Sequence, residues 1–177
     1  MALPGSRAVQ PDPGSRKMIQ HSRARLRVLW PGKTRSPEWR GLQEFYLARI
    51  RQLEPCELVE VKEARGLEDR EAEKIMQIEA KNLEKHLRDD YIICLFDRGK
   101  EMNSGDLARF IGERIESPRP TAFVVGGFAG LAAGVLERAD FRLSLSRMTF
   151  SHELCRVALL EQVYRALAIL KGKRYAK

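Results

Sequence analysis

Hydrophobic and polar positions follow two periods along the chain, one typical of strands and one typical of helices. Strands are predicted at Arg25–Trp30, Cys56–Val61, Tyr91–Phe96, Thr121–Val125 and Phe141–Leu145. Helices are predicted from Ser36 to beyond Ile50, over Glu68–Arg88, from Ser104 to the residue before Pro118, over Leu131–Arg138 and over Ser151–Leu170. Because strands and helices alternate, the pattern predicts an α/β fold in which a mostly parallel sheet carries helices on both faces.

The first and last helices have further features in the sequence. Ser36-Pro37-Glu38 combines a capping serine, a first-turn proline and an acid at the positive end of the helix dipole. The apolar face predicted for this first helix consists of Trp39, Leu42, Phe45, Tyr46 and Ile50. The last helix is apolar around more than one face, which indicates burial inside the domain or against a second subunit. Its apolar surface exceeds what we expect one small domain to cover, so a homodimer is predicted.

The chain of 177 residues divides into a short extension and one domain. Residues 1–24 contain three prolines and no hydrophobic period, which predicts a disordered basic extension. Residues 25–177 have the length of a single domain.

Charge and composition narrow the class of protein. The net charge of +8 favours a polyanionic partner such as nucleic acid, although a merely soluble basic protein is the alternative. Three cysteines without a Cys-x-x-Cys pair indicate reduced thiols and a cytoplasmic location. The histidines stand far apart, so no metal site is expected. No apolar run reaches the length of a membrane span.

Two segments are candidates for a ligand site. Val124–Gly130 is a strand end followed by three glycines, and ligands of parallel sheets bind at the carboxyl ends of strands. Leu145–Glu153 connects the last strand to the last helix. Each segment also has a simpler interpretation, since the first could be a tight turn without a ligand and the second could be ordinary helix capping.

The end of the chain is a third candidate. Lys171, Lys173, Arg174 and Lys177 form a basic cluster without an acid, and Tyr175 lies among them. Such a cluster can contact phosphates, and a tyrosine can stack on a base. A solvated basic terminus is the alternative.

Taken together, these motifs resemble the ribosomal RNA large subunit methyltransferase H family of the SPOUT class. The resemblance covers about residues 25–177 and rests on Val-Val-Gly-Gly-x-x-Gly at 124–130, Leu-Ser-x-x-Thr at 145–149 with His152, Leu-Glu-Gln-x-Tyr-Arg-Ala at 160–166 and Ile-Leu-Lys-Gly-x-x-Tyr at 169–175. Segments 28–34 and 95–100 also fit. The order and spacing of these matches make the resemblance specific.

The resemblance implies a fold, a reaction and a set of site residues. It implies a trefoil knot in the C-terminal part, a homodimer, and transfer of a methyl group from S-adenosylmethionine to N3 of a pseudouridine in 23S rRNA on the assembled ribosome. The residues implied for cofactor binding are Leu95, Gly126, Leu145, Ser146, Arg147, Met148, Thr149 and Phe150. Candidates for a catalytic role are Arg147, His152, Arg156 and Tyr175, and no base is assigned among them.

The sequence departs from the family pattern at Phe128, Ser151, Arg174 and Ala176. Phe128 and Ser151 replace prolines, and Arg174 and Ala176 replace a proline and a histidine that flank Tyr175. Two other functions therefore stay open. One is a ribosome-binding or assembly factor of the same fold without chemistry. The other is a sister SPOUT methyltransferase that acts on another RNA.

Overall fold

A computed structural model describes residues 24–87 and 89–175. The predicted extension therefore lies outside the described residues except for Ala24, and so do Ala176 and Lys177 of the tail. In chain order the elements are β1 (Leu26–Pro31), α1 (Pro37–Arg51), β2 (Cys56–Val61), α2 (Ala72–Glu84), β3 (Tyr91–Glu101), α3 (Ser104–Glu116), β4 (Thr121–Val124), α4 (Ala133–Arg138), β5 (Phe141–Ser144) and α5 (His152–Leu170).

The five strands form one sheet in the order β2-β1-β4-β3-β5, and each neighbouring pair is parallel. In this sheet β4 lies between β1 and β3, with Leu29 opposite Val124 and Cys94 opposite Val124 on its other side. The carboxyl ends of these three strands therefore meet at one edge of the sheet, where α/β proteins bind ligands. The predicted α/β class and the parallel sheet are confirmed.

Two hydrophobic cores lie on opposite faces of the sheet, which confirms that helices cover both. The first core joins alternate residues of the central strands to α1, α3 and α5, and it includes Trp30, Phe123 and Ile111. The second joins the other strand faces to α2 and α4, and it includes Leu29 and Leu83. The trefoil knot implied by the resemblance stays a prediction.

The last helix is used almost entirely inside this domain. Leu159, Leu160, Leu167 and Ala168 are fully buried, and α5 packs against both α1 and α3. The expectation that its apolar surface exceeds what one domain can cover is therefore wrong. The periodicity correctly predicted that the last helix is buried. The elements that bury it, α1 and α3 among them, belong to the same chain.

The buried face of the first helix differs from the apolar face that the sequence pattern predicted. Its buried residues are Gln43, Leu47 and Ile50, whereas Leu42 and Phe45 are exposed. Gln43 is buried because its Oε1 accepts a hydrogen bond of 2.7 Å from the hydroxyl of Thr34, which is buried as well. A polar pair thus takes the position that the pattern assigned to apolar side chains.

Helix ends agree with the sequence at most positions. The side chains of Ser36 and Ser151 accept hydrogen bonds from the backbone N–H groups of Trp39 and Leu154, as capping residues do. Gly172 follows α5 with φ of 63°, as a C-terminal cap requires. The long helix predicted over residues 68–88 is shorter, because a 3-10 turn at Asp69–Glu71 precedes α2. Asn103, and not Ser104, caps α3.

Within the described residues, no helix is long and apolar enough to cross a membrane. The same part of the chain contains no group of three or more His, Cys, Asp or Glu side chains able to hold a metal ion.

A buried ion pair fastens β1 to the segment before β3. The guanidinium of Arg27 donates to Asp90 Oδ2 at 2.6 Å and to the carbonyl oxygen of His86 at 2.9 Å. It also donates to Glu57 Oε2 at 2.7 Å, but the Glu57 side chain is half exposed whereas that of Asp90 is fully buried. The two carboxylates therefore bind one cation in very different surroundings.

We expect Asp90→Ala to lower the free energy of unfolding by ~3–5 kcal/mol, because it leaves a buried guanidinium short of its partner. Glu57→Ala removes a partly exposed partner of the same guanidinium and should cost no more than about 1 kcal/mol. Urea denaturation of both variants measures the difference. Equal losses for the two variants would contradict the assignment of Asp90 as the essential partner.

Candidate functional site

A cavity of about 670 Å³ opens where β4 and β5 end, beside the middle of β3. This volume lies within the range of small-molecule sites. Three segments build its walls, namely residues 95–97 in the middle of β3, where its pairing with β5 shifts register, 125–131 after β4 and 145–152 before α5, with Leu143 and Cys155 completing the lining. The lining is mostly apolar, with the polar side chains of Asp97, Ser146, Thr149, Ser151 and His152 at intervals.

The wall after β4 is a tight turn that only glycines can form. The N–H of Gly130 donates to the carbonyl oxygen of Gly127 at 3.1 Å, and Gly130 has φ of 92°. A Cβ atom on Gly126 would lie 2.6 Å from the carbonyl carbon of Gly130. The resemblance implies that Gly126 lets a cofactor approach the backbone, and the structure adds a second reason, which is that the turn folds back on itself at this residue.

The wall before α5 is held by short-range hydrogen bonds. The hydroxyl of Ser144 lies 3.0 Å from the carbonyl oxygens of both Asp97 and Ser146. The N–H of Met148 donates to Ser146 Oγ at 3.1 Å. These bonds tie the loop before α5 to the end of β3, so two walls of the cavity are fixed to each other.

The structure brings most of the predicted cofactor residues together. Seven of the eight line this cavity: Leu95, Gly126, Leu145, Ser146, Met148, Thr149 and Phe150. Arg147 does not line it, because its side chain is 90% exposed and lies 3.5 Å from Glu101 on the outside of the loop. Their role in binding a cofactor stays a prediction.

The four catalytic candidates lie in different places. His152 lines the cavity, whereas Arg147 points away from it. Burial is the main cause that lowers the pKa of His152, and the nearby Arg156 adds to the effect. His152 is therefore neutral at neutral pH and can accept a proton.

Arg156 is buried and connects α5 to the end of β1. Its guanidinium donates to the carbonyl oxygen of Pro31 at 2.6 Å and to the hydroxyl of Thr34 at 3.1 Å. The same group lies 5.2 Å from the ring centre of Trp30. These contacts give Arg156 a structural role, because its donors face the backbone of the β1 end and not the cavity.

Tyr175 lies away from the cavity, against α5 of its own chain. Its ring centre is 4.9 Å from that of Tyr164, and the guanidinium of Arg165 lies 4.5 Å above the ring. Burial, followed by a hydrogen bond with Tyr46, raises the pKa of Tyr175 above its ordinary value. The phenol therefore stays protonated.

Sequence reasoning missed two polar residues of the cavity, Asp97 and Cys155. Asp97 directly follows the predicted strand Tyr91–Phe96, so the rule that ligands bind at strand ends could have found it, whereas Leu95 came from the resemblance. Cys155 lies one helical turn after Ser151 and could have been found from the helix period. Burial raises the pKa of the Cys155 thiol to about 11, so the thiol is not a nucleophile at neutral pH.

Comparison with known proteins shows which class of protein this α/β fold and its cavity belong to. The model of the family described as "Predicted SPOUT methyltransferase" matches residues 24–176. A probable methylase family protein from Haemophilus influenzae shares the fold with a TM-score of 0.51, 14% identity and coverage of 86% of this chain and 70% of that chain. A probable methyltransferase from Bordetella pertussis gives 0.50 at 14% identity, covering 81% of this chain and 96% of that chain.

Curated relatives narrow the class further. A protein of Geobacter metallireducens named ribosomal RNA large subunit methyltransferase H is 40% identical over 159 residues, covering 85% of this chain and 97% of that protein. A protein of the same name from Thermodesulfovibrio yellowstonii is 37% identical over 151 residues, covering 85% and 97%. The chain therefore belongs to the SPOUT methyltransferases, and within them to the ribosomal RNA large subunit methyltransferase H family.

The glycine turn gives a direct test of the steric argument. We expect Gly126→Ala to lower the free energy of unfolding by ~1–3 kcal/mol, because the new methyl group overlaps the backbone of Gly130. Gly134→Ala is the matched control. No atom lies within 4 Å of a Cβ at Gly134 in α4, so this change should be neutral or should stabilise by up to ~1 kcal/mol. Urea denaturation that shows no loss for Gly126→Ala would disprove the close approach.

Proposed function

We propose that this protein transfers a methyl group from S-adenosylmethionine to N3 of a pseudouridine in 23S rRNA on the assembled ribosome. The proposal rests on one observation. A cavity is lined by the glycine turn and by the Leu145–Phe150 loop, in a chain that belongs to this methyltransferase family. The net charge of +8 suits an RNA partner. A ribosomal substrate is consistent with a cytoplasmic enzyme.

The residues of the cavity fit the chemistry of this methyl donor. All three glycines of the turn line the cavity, so backbone of the turn forms part of the wall that a ligand would meet. The apolar lining suits an adenine ring, and the carboxyl group of Asp97 can accept hydrogen bonds from hydroxyl or ammonium groups. When it is bound, S-adenosylmethionine supplies an electrophilic methyl group on a sulfonium.

The chain's own residues have three tasks in this reaction. The two cavity walls hold the reactants at a fixed distance, because hydrogen bonds at Ser144 join them. The apolar lining excludes water. Among the four candidates, His152 is the side chain that lines the cavity, and its neutral ring suits a group that accepts the imide proton of the target base.

The tail serves RNA binding in this proposal. Lys171, Lys173 and Arg174 are exposed, and Tyr175 next to them presents an aromatic ring. Exposed cations can neutralise phosphates, and a tyrosine ring can stack on a base. Neither group lines the cavity of its own chain, so donor binding does not use them.

Tyr175→Ala should lower the rate of ribosome methylation by about 10-fold, on the scale of one base-stacking contact. Binding of S-adenosylmethionine, measured by calorimetry, should not change, because Tyr175 does not line the cavity. Tyr175→Phe keeps the ring and should keep most of the rate.

The same assay tests the proposed reaction, with the modified nucleotide mapped by mass spectrometry on ribosomes that lack the modification. A methyl group on another RNA position would indicate a sister enzyme. The absence of both methylation and donor binding would indicate a binding or assembly factor. An unchanged rate for Tyr175→Ala would show that the tail has no role in the RNA step.

We also propose that the protein acts as a homodimer, through the groove between α1 and α5. This groove has a volume of about 380 Å³, and Leu42, Leu154 and Val157 are among its apolar lining residues. Tyr46 and Glu161 line it as well, and both interact with Tyr175. A second protomer seated here would therefore contact the tail, which agrees with a tail that reaches a neighbour's cavity.

Leu42→Glu should convert dimers to folded monomers, because the Leu42 side chain is 41% exposed in the protomer and lies outside its core. Leu42→Met preserves the apolar contact and should remain dimeric. Light scattering at micromolar concentration gives the oligomeric state. A monomeric wild type, or a Leu42→Glu variant that stays dimeric, would contradict the proposed face. Leu160 is unsuitable for this test because it is fully buried in the domain core.

A further inference from the structure

One buried carboxyl group lies directly behind the glycine turn, outside the set of residues that line the cavity. Glu79, on α2, is only 5% exposed. Its Oε1 accepts a hydrogen bond of 3.3 Å from the backbone N–H of Ala64. Its Oε2 has no hydrogen-bond partner among the described residues, and none of their Lys, Arg or His side chains comes within ion-pair distance.

This carboxyl group occupies the space where Gly127 lacks a side chain. A Cβ atom on Gly127 would lie 3.1 Å from Cδ and 3.2 Å from Oε1 of Glu79, and closer still to Oε2. Gly127 also supplies the carbonyl oxygen that receives the N–H of Gly130 and closes the turn. The Glu79 side chain therefore packs directly against the turn that forms one wall of the cavity.

The surroundings of Glu79 favour the neutral acid. Transfer of an unpaired carboxylate into a protein interior costs far more than transfer of the protonated group. Burial raises the pKa of Glu79, the N–H of Ala64 opposes this effect, the carboxylate of Glu63 adds to it, and the guanidinium of Arg156 opposes it. These groups come from the loop after β2 and from α5, and the turn itself presents no charge to Glu79.

We propose that Glu79 is a positioning residue of the cavity, whose buried carboxyl group packs behind Gly127 and keeps the glycine turn in the shape that binds the methyl donor. The inference rests on the proposed function, because that function supplies the ligand. The closure of the turn itself can be followed without any ligand.

Ionisation of Glu79 would disturb this arrangement. A carboxylate needs more hydrogen-bond donors than Ala64 supplies, and it would move toward water or Arg156, away from Gly127. The neutral form predominates below the raised pKa of Glu79 and is lost as the pH rises through it. Donor affinity should therefore be highest at low pH and should decrease toward alkaline pH.

Three variants separate packing from charge. Glu79→Gln keeps the size of the side chain and cannot ionise, whereas Glu79→Ala leaves a gap behind Gly127. Glu84→Ala is the control, since Glu84 is exposed on the same helix. Two measurements are made on each full-length protein. One is the hydrogen-exchange rate of the Gly130 amide without ligand, and the other is the calorimetric affinity for S-adenosylmethionine between about pH 5 and about pH 9.

Glu79→Ala should raise the exchange rate of the Gly130 amide by about 10-fold, which corresponds to ~1.4 kcal/mol, and should weaken donor binding similarly. Glu79→Gln should match the wild type at the low end of this pH range, where Glu79 is protonated, and Glu84→Ala should match it throughout. The wild type should lose affinity as the pH rises, and Glu79→Gln should lose less, because only the wild type can ionise at this position. Both proteins retain His152, so its titration cancels in the comparison.

Three results would overturn the inference. They are unchanged Gly130 exchange in Glu79→Ala, a Gln variant as damaged as the Ala variant, and equal pH profiles for Glu79→Gln and the wild type. If the wild type binds no S-adenosylmethionine at any pH, the proposed function fails instead. The exchange measurement still decides whether Glu79 supports the turn.

Discussion

The structure depends on the parallel pairing of the short strand β4 between β1 and β3. Phe123 and Val124 of this strand are fully buried, and each side of the strand is hydrogen-bonded to a neighbour. This pairing fixes where β4 ends relative to Leu29 and Cys94. The glycine turn that follows β4 then lies beside residues 95–97 of β3, and the cavity forms where this turn, that part of β3 and the loop before α5 meet.

Polar groups inside the domain hold this edge of the sheet together. Arg156 reaches from α5 to the carbonyl oxygen of Pro31, so the helix that follows β5 and the cavity loop is fixed to β1, which lies three positions from β5 in the sheet. Thr34 continues the network to Gln43 of α1. Each donor bond to a buried backbone oxygen satisfies a group that would otherwise be costly to bury. These buried hydrogen bonds therefore hold α5, the end of β1 and α1 together next to the cavity.

The arrangement also separates donor binding from RNA binding. The cavity lies at the carboxyl edge of the sheet, whereas Tyr175 and the basic tail lie against α5 beside the α1–α5 groove. In one protomer Tyr175 does not line the cavity, although the groove beside it shares Leu143, Leu145 and Phe150 with the cavity lining. In the proposed dimer through the groove, the tail of one protomer would lie at the cavity of the other. Residues of both protomers would then take part in one methyl transfer.

The sequence alone determined the order of elements, the parallel α/β class, the capping at Ser36, and the segments from which a ligand site could be built. These features are local, since periodicity and capping depend on residues a few positions apart. Only the tertiary structure decided that Leu160 belongs to the core of its own domain, that Leu42 is exposed, and that Glu79 lies against Gly127. Such features depend on residues far apart in sequence. A periodic pattern predicts that a face is buried, but it does not predict which element buries that face.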